Sequence, residues 1–263
     1  MFLISKPTAT LFSGHYSSRH QSWKLKCPHF AKWDRWKGSF PKILQDNGYY
    51  VGHVGKWQYY NDNRNRFDWS RWHEGKHWYT MYGQKLVSAD DRACDDAVAF
   101  LGQRPKDKPF ALSVAFYPPK PVGTGTELGA QWTPKNETLL LYQNLTIQPP
   151  HGANGTAAFE KLPSFLRYDR TAAVQRWNQR YKDNEHYQQS MKNMYALITQ
   201  VDDACRRIVD ELKQQGEYNN TMIIFTTDNG MFHGSHGLAG KWYPYQESSK
   251  FALCCCIYSS SFP

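Results

Sequence analysis

The sequence lacks the features that would assign it to several common classes of protein. Its six cysteines include no CxxC pair, and three of them are adjacent at 254–256, so neither a zinc module nor a disulfide framework is indicated. No apolar run approaches the roughly 20 residues that a membrane-spanning helix needs. The net charge is +9, yet Lys and Arg form no basic arm, and residues 23–42, where they are interleaved with Trp and Phe, follow no nucleic-acid-binding spacing. We therefore expect no membrane span and no nucleic-acid partner.

A secretory leader is also missing, although the chain carries the acceptor sites of a secreted glycoprotein. Residues 1–7 read MFLISKP, and this apolar stretch is too short for a signal peptide. Three Asn-x-Ser/Thr sequons lie within residues 136–156, and a fourth lies at 219–221. The asparagines of the four sequons are Asn136, Asn144, Asn154 and Asn219. We expect a parent protein from a secretory, lysosomal or extracellular compartment that extends upstream of Met1.

Short apolar runs alternate with helical patterns along the chain. The runs at 49–54, 110–116 and 222–227 predict buried strands, because each is short and is followed by Gly, Pro or a polar turn. Residues 40–48 end in Asn-Gly, which is typical of a helix C-terminus, and Ser88–Asp91 forms a capping box for a helix that runs to about residue 101. The alternation predicts an α/β fold with a mainly parallel sheet flanked by helices.

The longest predicted helix begins near Glu185 and ends at Gly216. Its apolar residues recur at three- and four-residue steps: Met191, Met194, Tyr195, Ile198, Val201, Cys205, Ile208 and Leu212. Such a stripe predicts a face that packs in the core rather than a cofactor-binding surface.

The chain is predicted to form one domain over residues 1–250. Within it, residues 118–180 are rich in Pro, Gly, Asn and Thr, and they predict a loop insertion over one edge of the sheet. Residues 251–263 break the earlier patterning and are predicted to be an unpatterned tail.

Polar residues follow the first and third predicted strands. Asp228 and Asn229 come directly after the third strand, with Lys241 a short distance beyond, and Lys56 follows the first strand. In parallel sheets the ligand lies at the carboxyl ends of the strands. Carboxylate and amide oxygens suit calcium or magnesium, and two lysines suit an anion such as sulfate or phosphate. Taken singly, the Asp-Asn pair is more typical of an Asx turn than of a metal site, and each lysine is more typical of a solvated surface.

Together, the motifs resemble those of the sulfatase family, which belongs to the alkaline-phosphatase-like superfamily. Residues 47–57 (NGYYVGHVGKW) are similar to its second signature. Residues 195–247, with VDD at 201–203, TDNG at 227–230 and GKW at 240–242, are similar to its metal-and-lysine region. The resemblance covers residues 5–248 and implies an alkaline-phosphatase-like fold.

The resemblance also implies roles for individual residues. Asp228 and Asn229 correspond to calcium ligands, whereas Lys56 and Lys241 correspond to the lysines that hold the sulfate group, with His236 among the substrate contacts. Family members attack sulfur with a formylglycine hydrate, which is made from Cys or Ser in a C/S-x-P-S/T-R motif. Ser5 stands at that position and is the candidate nucleophile.

The sequence departs from the family pattern at several points. The segment around Ser5 is one residue short and lacks the arginine, and the two aspartates that complete the calcium site would lie upstream of Met1. Gln58 and Lys120 replace two family histidines, and neither titrates near pH 7 as imidazole does. We keep both among the candidate substrate contacts. The missing family residues upstream and downstream predict that the chain is cut short at both ends.

The leading interpretation is a calcium-dependent sulfuric ester hydrolase that acts on a sulfate ester, with a sulfated carbohydrate as the suggested substrate. The departures from the family pattern favour a second interpretation for this chain, a non-catalytic protein that binds sulfated glycans. A third is a superfamily phosphatase or phosphodiesterase, but Asn229 argues against the histidine-rich two-zinc site of those enzymes. The oligomeric state is not indicated.

Overall fold

The computed structural model divides the chain into two compact units. The first comprises Met1–Tyr117, Ala204–Thr221 and Ile257–Pro263, and the second comprises Pro118–Asp203 and Met222–Cys256. The structure describes residues 7–16, 19, 36–57, 66–73, 79–122, 128–129, 131–150, 155–167, 171–241, 243, 245–250 and 252–259. None of the helices in this part of the chain combines the length and the apolar character that crossing a bilayer requires.

Helices and strands alternate along the described residues. The helices are α1 (Pro7–Ser13), α2 (Phe40–Asp46), α3 (Ala89–Gln103), α4 (Asn136–Leu140), α5 (Gly155–Glu160), α6 (Ala172–Arg180), α7 (Asn184–Gln214) and α8 (Gln246–Ser249). The strands are β1 (Tyr50–Gly55), β2 (Trp69–Trp72), β3 (Tyr79–Tyr82), β4 (Lys85–Ser88), β5 (Phe110–Ala115), β6 (Asn220–Thr226), β7 (Phe232–His233), β8 (Ala239–Gly240) and β9 (Leu253–Ser259).

The first unit contains a three-stranded parallel sheet with the order β2-β1-β5. The parallel α/β architecture predicted from the sequence is confirmed. β1 occupies the central position and is buried along almost its whole length, whereas β5, which lies at the edge, is only half-buried. Because the three strands are parallel, their carboxyl ends meet at one edge of the sheet, where Lys56 follows β1.

Gly52 of β1 allows α3 to pack closely on one face of this sheet. A Cβ atom at Gly52 would lie 2.4 Å from the ring of Phe100 in α3. That ring also stacks on Tyr50, with 5.7 Å between the ring centroids. The start of α3 follows the predicted capping box, because the Ser88 side chain accepts a hydrogen bond from the backbone N–H of Asp91.

Aromatic side chains fill the other face of the sheet. Phe12, Trp36, Trp57 and Phe67 are buried there with Val51 and form the apolar core of the first unit. The His53 ring lies among them, stacked on Phe67 at 5.2 Å between ring centroids. The high aromatic content of the chain thus builds a core at this position.

The long helix α7 agrees closely with its predicted bounds, but its buried face differs at one position. Met191, Met194 and Val201 are buried as predicted. Ile198, however, is 44% exposed, whereas its neighbour Leu197 is fully buried. Both positions lie within one turn of Met194, so the period alone does not choose between them.

Residues 118–180, which were predicted to be a loop insertion, contain α4, α5 and α6. Polar side chains of α7 satisfy the backbone of the irregular parts of this segment. Asn193 donates to the carbonyl groups of Gly129 and Trp132, and the side-chain oxygen of Gln200 accepts from the N–H of Lys135. A segment without a regular ladder of backbone hydrogen bonds is ordered in this way.

The end of the chain corrects two predictions. Residues 253–259 were expected to lie in an unpatterned tail, but they form β9, which pairs with β6. β6 itself is a strand as predicted but is not buried, since Met222, Ile224 and Phe225 are 53%, 59% and 43% exposed. Within the described residues β6 pairs only with β9, and an apolar run is buried only where other elements cover both of its faces.

Candidate active site

Lys56 is held at the carboxyl end of β1 by the turn that precedes it. Its backbone N–H donates to the carbonyl of Ala115 at the end of β5, at 2.7 Å. Gly55 has a φ of +88°, and a Cβ atom there would lie 2.2 Å from the same carbonyl oxygen. Only glycine permits this approach, so the Gly-Lys-Trp motif fixes where the lysine leaves the sheet.

His73 and Tyr117 accompany Lys56 at this edge of the first unit. The Nζ of Lys56 lies 5.7 Å from the centroid of the Tyr117 ring, and that ring lies 5.5 Å from the ring of His73. The Tyr117 hydroxyl donates to the backbone carbonyl of His73 at 3.0 Å. Each of these residues lies within two positions of the carboxyl end of a strand. Burial, followed by the charge of Arg92, lowers the pKa of His73 to about 4, so its ring is neutral at pH 7.

In the second unit, Lys241 and Asn229 are joined directly. The Nζ of Lys241 donates to the Oδ1 of Asn229 at 2.6 Å, and the Nδ2 of Asn229 donates to the carbonyl of Gly230 at 2.7 Å. Both polar atoms of the amide therefore have partners. Asp228 is exposed beside them and faces solvent.

Gly230 brings this strand end against α8. A Cβ atom at Gly230 would lie 2.2 Å from the carbonyl oxygen of Glu247. The carboxylate of Glu247 in turn lies 2.9 Å from the Nε2 of His236. Burial raises the pKa of Glu247, but hydrogen bonds from its own backbone N–H and from His236 outweigh that effect and lower it.

His236 adopts a left-handed backbone conformation, with a φ of 59°. Residues other than glycine rarely hold this conformation unless the surroundings impose it, and such strain is concentrated at functional sites. The Glu247 carboxylate and the Tyr245 ring, at 4.8 Å between ring centroids, fix the imidazole on two sides.

Lys120 belongs to the same group of charges. Its pKa is lowered by burial and next by the charge of Lys241, whereas Asp228 raises it and Arg176 lowers it further. These interactions connect Lys120 to the strand end that carries Asp228 and to the middle of α6, which carries Arg176. The second unit therefore concentrates three cations and one carboxylate, an arrangement that attracts anions.

The structure brings together most of the candidate residues of the second unit. Asp228, Asn229, Lys241, His236 and Lys120 all lie in that unit, linked by the contacts and charges described above. The predicted convergence of Lys56 with Lys241 stays a prediction, since Lys56 belongs to the first unit. Ser5 and Gln58 lie outside the described residues.

Sequence reasoning missed His73, Tyr117, Arg176 and Glu247. Tyr117 could have been found from the sequence, because it directly follows the strand predicted at 110–116. His73 was not, because the four residues of β2 show no apolar alternation that separates them from a loop. Arg176 and Glu247 acquire their neighbours only through tertiary packing.

The candidate metal ligands are too few for a calcium site. Asp228 and Asn229 provide the hard oxygens that calcium prefers, but calcium takes about 6 to 8 of them. The described residues contain no group of three or more His, Cys, Asp or Glu that could hold a metal ion. The Asn229 oxygen is also bonded to an ammonium group. The described part of the chain therefore does not form a complete calcium site.

The sequons are accessible where they are described. Asn136, Asn144 and Asn219 are exposed, with Asn136 at the start of α4 and Asn219 directly before β6. Asn154 lies outside the described residues.

The comparisons with known proteins identify the family. The family model described as Sulfatase matches residues 7–252. The N-acetylglucosamine-6-O-sulfatase of Bacteroides thetaiotaomicron is 23% identical over 82% of this chain and 48% of its own length. The extracellular sulfatase SULF-1 homolog of Drosophila melanogaster is 27% identical over 79% of this chain and 19% of its own length.

A solved structure shows the same fold. The protein BT4656, in complex with its substrate D-glucosamine-2-N,6-O-disulfate, superposes with a TM-score of 0.72 and 22% identity. The match covers 97% of this chain and 61% of that one. The chain thus spans 48% of the length of the N-acetylglucosamine-6-O-sulfatase and 61% of the length of BT4656.

Proposed function

We propose that this chain, which belongs to the sulfatase family, is part of a sulfuric ester hydrolase that cleaves a sulfate ester of a sulfated carbohydrate. The observation that carries the proposal is the joined pair Lys241 and Asn229, with Lys120 and Asp228 close enough to couple electrostatically. The names of two relatives support an amino sugar as the carbohydrate. One is an N-acetylglucosamine-6-O-sulfatase, and the substrate bound to BT4656 is a disulfated glucosamine.

The residues of the second unit supply the parts of a sulfate-ester site that bind and orient. Lys241 and Lys120 place positive charge where the sulfate oxygens bind, and charge that is already in position stabilises the negative charge that develops in the transition state. His236 is oriented by Glu247 through its Nε2, and its other ring nitrogen, Nδ1, suits a hydrogen bond to the sugar or to the ester oxygen.

The family generally implies a metal ion, and we propose calcium with Asp228 and Asn229 among its ligands. The ion would act as a Lewis acid toward the sulfate. Lys241 would have to share or release the Asn229 oxygen when the ion is bound. The candidate nucleophile remains Ser5, as a precursor of formylglycine, and Lys56 and Gln58 remain candidate substrate contacts.

Release of inorganic sulfate tests this function. N-acetylglucosamine 6-sulfate and an aryl sulfate would be incubated with the purified chain in calcium, beside an aryl phosphate that tests for a superfamily phosphatase. Lys241→Ala is expected to lower sulfate release roughly 100-fold, the usual cost of removing one oxyanion-stabilising group. Lys161→Ala, which removes an exposed lysine of the same unit, should leave the rate unchanged.

A second candidate function is the binding of sulfated glycans without hydrolysis. The bond between Lys241 and the Asn229 oxygen favours it, because the oxygen that a catalytic ion would use serves the lysine instead. If the wild-type chain releases no sulfate from either ester but binds the sulfated sugar through Lys241, this second function replaces the first. Faster release from the aryl phosphate would instead favour the phosphatase interpretation.

We also propose that the chain is glycosylated and that its parent protein is extracellular or lysosomal. The exposed positions of Asn136, Asn144 and Asn219 support this, as does the extracellular relative from Drosophila. After expression through a secretory pathway, glycosidase digestion should increase the electrophoretic mobility of the chain. Replacing one of these asparagines by glutamine should remove the part of that shift that one glycan causes. An unchanged mobility would contradict the proposal.

A further inference from the structure

Arg180, at the end of α6, is buried without a carboxylate partner. The residue is 1% exposed, and the ionisable neighbours that act on its pKa, Tyr181 and Arg176, are not carboxylates. Its Nε donates to the side-chain oxygen of Gln131, and its guanidinium lies 5.0 Å from the centre of the Trp132 ring. The Nη1 atom is buried and has no hydrogen-bond partner. A buried guanidinium that lacks a counter-charge is costly, because one hydrogen bond and one ring contact replace only part of the solvation that burial removes.

Other unpartnered polar atoms are associated with Arg180. The Nε1 of Trp177, the hydroxyl of Tyr181 and the Nδ1 of His233 are also buried without a hydrogen-bond partner. Arg180 follows Trp177 by three residues, and Tyr181 follows Trp177 by four. Because residues three and four apart are neighbours on a helix, these three side chains lie on one side of the C-terminal turn of α6. His233 comes from β7, which packs against α6, because Ala173 and Val174 lie in one apolar cluster with Phe232. Burial and then the charge of Arg180 lower the pKa of His233 to about 4.

These groups have one property in common, which is that they donate hydrogen bonds. An indole N–H and a guanidinium only donate. Burial raises the pKa of Tyr181, so its hydroxyl keeps its proton. His233 is neutral at pH 7, and its unpartnered Nδ1 is a donor in the tautomer that carries the ring proton at that atom. Donors without acceptors around an unpaired cation describe a site for an anion.

We propose that Arg180, Trp177, Tyr181 and His233 form an anion subsite in the second unit that binds one sulfate or carboxylate group. The burial of Arg180 restricts the ligand to a small oxyanion or to a single anionic substituent of a larger molecule. The subsite differs from the group around Lys241, and it does not depend on hydrolysis by that group. Arg176, one turn before Arg180 on α6, couples electrostatically both to Arg180 and to Lys120, so cations extend from one group to the other.

Anion-dependent stabilisation tests the subsite in a Lys241→Ala background, which weakens the other candidate sulfate site. Inorganic sulfate is expected to raise the midpoint of thermal unfolding at constant ionic strength, with chloride as the reference anion. A glycan that carries one carboxylate and one sulfate tests whether the subsite binds an anionic group of a larger molecule rather than a free anion. Stabilisation by sulfate alone assigns the subsite to the free anion, and stabilisation by the glycan at lower concentration assigns it to the substrate.

Arg180→Gln should abolish the sulfate effect, whereas Arg167→Gln, at an exposed position of the same unit, should preserve it. Because Arg180→Gln can fail to fold, Tyr181→Phe and Trp177→Phe serve as variants that keep the volume and remove one donor. Each is expected to weaken sulfate binding at least fivefold. Equal stabilisation by sulfate in all of these variants, or none in the Lys241→Ala protein, would show that Arg180 is a structural residue held by Gln131 and Trp132.

Discussion

The Nζ of Lys241 donates a hydrogen bond of 2.6 Å to the Oδ1 of Asn229, the atom that the sequence pattern offers to a metal ion. A lysine and a divalent cation cannot both approach one amide oxygen without mutual repulsion. The charge of Lys241 therefore lowers the affinity for any metal ion that Asn229 helps to hold. The same charge raises the affinity for an anion at this strand end. Lys241 thus has opposite effects on the binding of a metal ion and on the binding of an anion.

Calcium affinity should reflect this opposition. With Asp228 and Asn229 as the ligands supplied by the described residues, we expect a dissociation constant of about 1 mM or weaker. Lys241→Met should tighten it about fivefold or more, because removing a positive charge a few ångströms from the ion is worth roughly 1 kcal/mol even in a watery environment. Calorimetric titration measures both values.

Two variants define the outcome of that titration. Lys161→Met removes an equal charge at an exposed position and should leave the affinity unchanged, and Asp228→Ala should abolish binding. Micromolar binding that survives Asp228→Ala would show that other residues hold the ion.

The contact between Gly52 and Phe100 makes a prediction about stability. Gly52→Ala places a methyl group where the Phe100 ring lies, since the two would be 2.4 Å apart. The ring or the helix must move, and overpacking of this kind typically costs about 1–3 kcal/mol. Urea unfolding monitored by circular dichroism gives the difference. The control is Gly102→Ala on α3, where nothing lies within 4 Å of the added atom; it should stabilise the helix by roughly 0.5–1 kcal/mol.

A second substitution separates overpacking from other effects of Gly52→Ala. Adding Phe100→Leu frees space beside the new methyl group, so the double variant should lose less than the two single changes combined. Strictly additive losses would mean that Phe100 is not the group that excludes a side chain at position 52.

The elements that the sequence predicts correctly are those whose signals are local. The capping box at Ser88, the Asn-Gly end of α2 and the period of α7 each lie within one element, and the strand-end positions of Asp228, Asn229 and Lys241 follow from β6 and the Gly-Lys-Trp motif. Burial is different. The period of α7 did not distinguish Leu197 from Ile198, because the neighbouring segments decide which of two adjacent residues is covered.

The errors share a physical cause. β6 reads as a buried strand because its residues are apolar, but burial depends on which elements lie over it. Residues 253–259 look unlike the rest of the chain, yet β6 offers them an unpaired edge, and backbone pairing tolerates most side chains. The isolation of Arg180 from carboxylates has no counterpart in the sequence, because it depends on which residues the fold places around α6.

Three histidines whose pKa is lowered mainly by burial predict a loss of stability in mild acid. His53, His73 and His233 each have a pKa lowered to about 4, in every case mainly by burial. In the unfolded chain they titrate near 6.5. Between these values the unfolded state binds more protons than the folded state, so the free energy of unfolding falls as the pH is lowered from about 6.5 to 4. Above pH 6.5 their contribution is complete.

Urea unfolding at pH 7.5, 6.0 and 5.0 measures this dependence. His53→Phe removes one of the titrating groups from the aromatic core and should reduce the slope by about one proton, whatever its effect at pH 7.5. His15→Gln changes a histidine outside that core and serves as the reference. A slope that His53→Phe leaves unchanged would show that His53 is not protonated on unfolding.

The last prediction concerns sulfate binding through the two lysines of the Gly-Lys-Trp motifs. Lys56 and Lys241 each place an ammonium group at a strand end, and exposed charges attract anions less as salt screens them. The binding of a sulfated glycan should therefore weaken between 20 and 300 mM added salt, roughly in the range where the Debye length falls below 10 Å. Replacing both lysines by alanine should weaken it by a further order of magnitude. The matched control replaces Lys37 and Lys161, one exposed lysine from each unit.

The salt dependence that remains in the double variant separates the two proposed anion sites. Charges that are withdrawn from solvent are screened much less than exposed ones, so a residual component that salt hardly affects is expected at Arg180. That component should disappear when Arg180→Gln is added to the double variant. If Lys56→Ala with Lys241→Ala binds the glycan as tightly as Lys37→Ala with Lys161→Ala, neither lysine holds the sulfate group, and the sulfate site of this chain lies elsewhere.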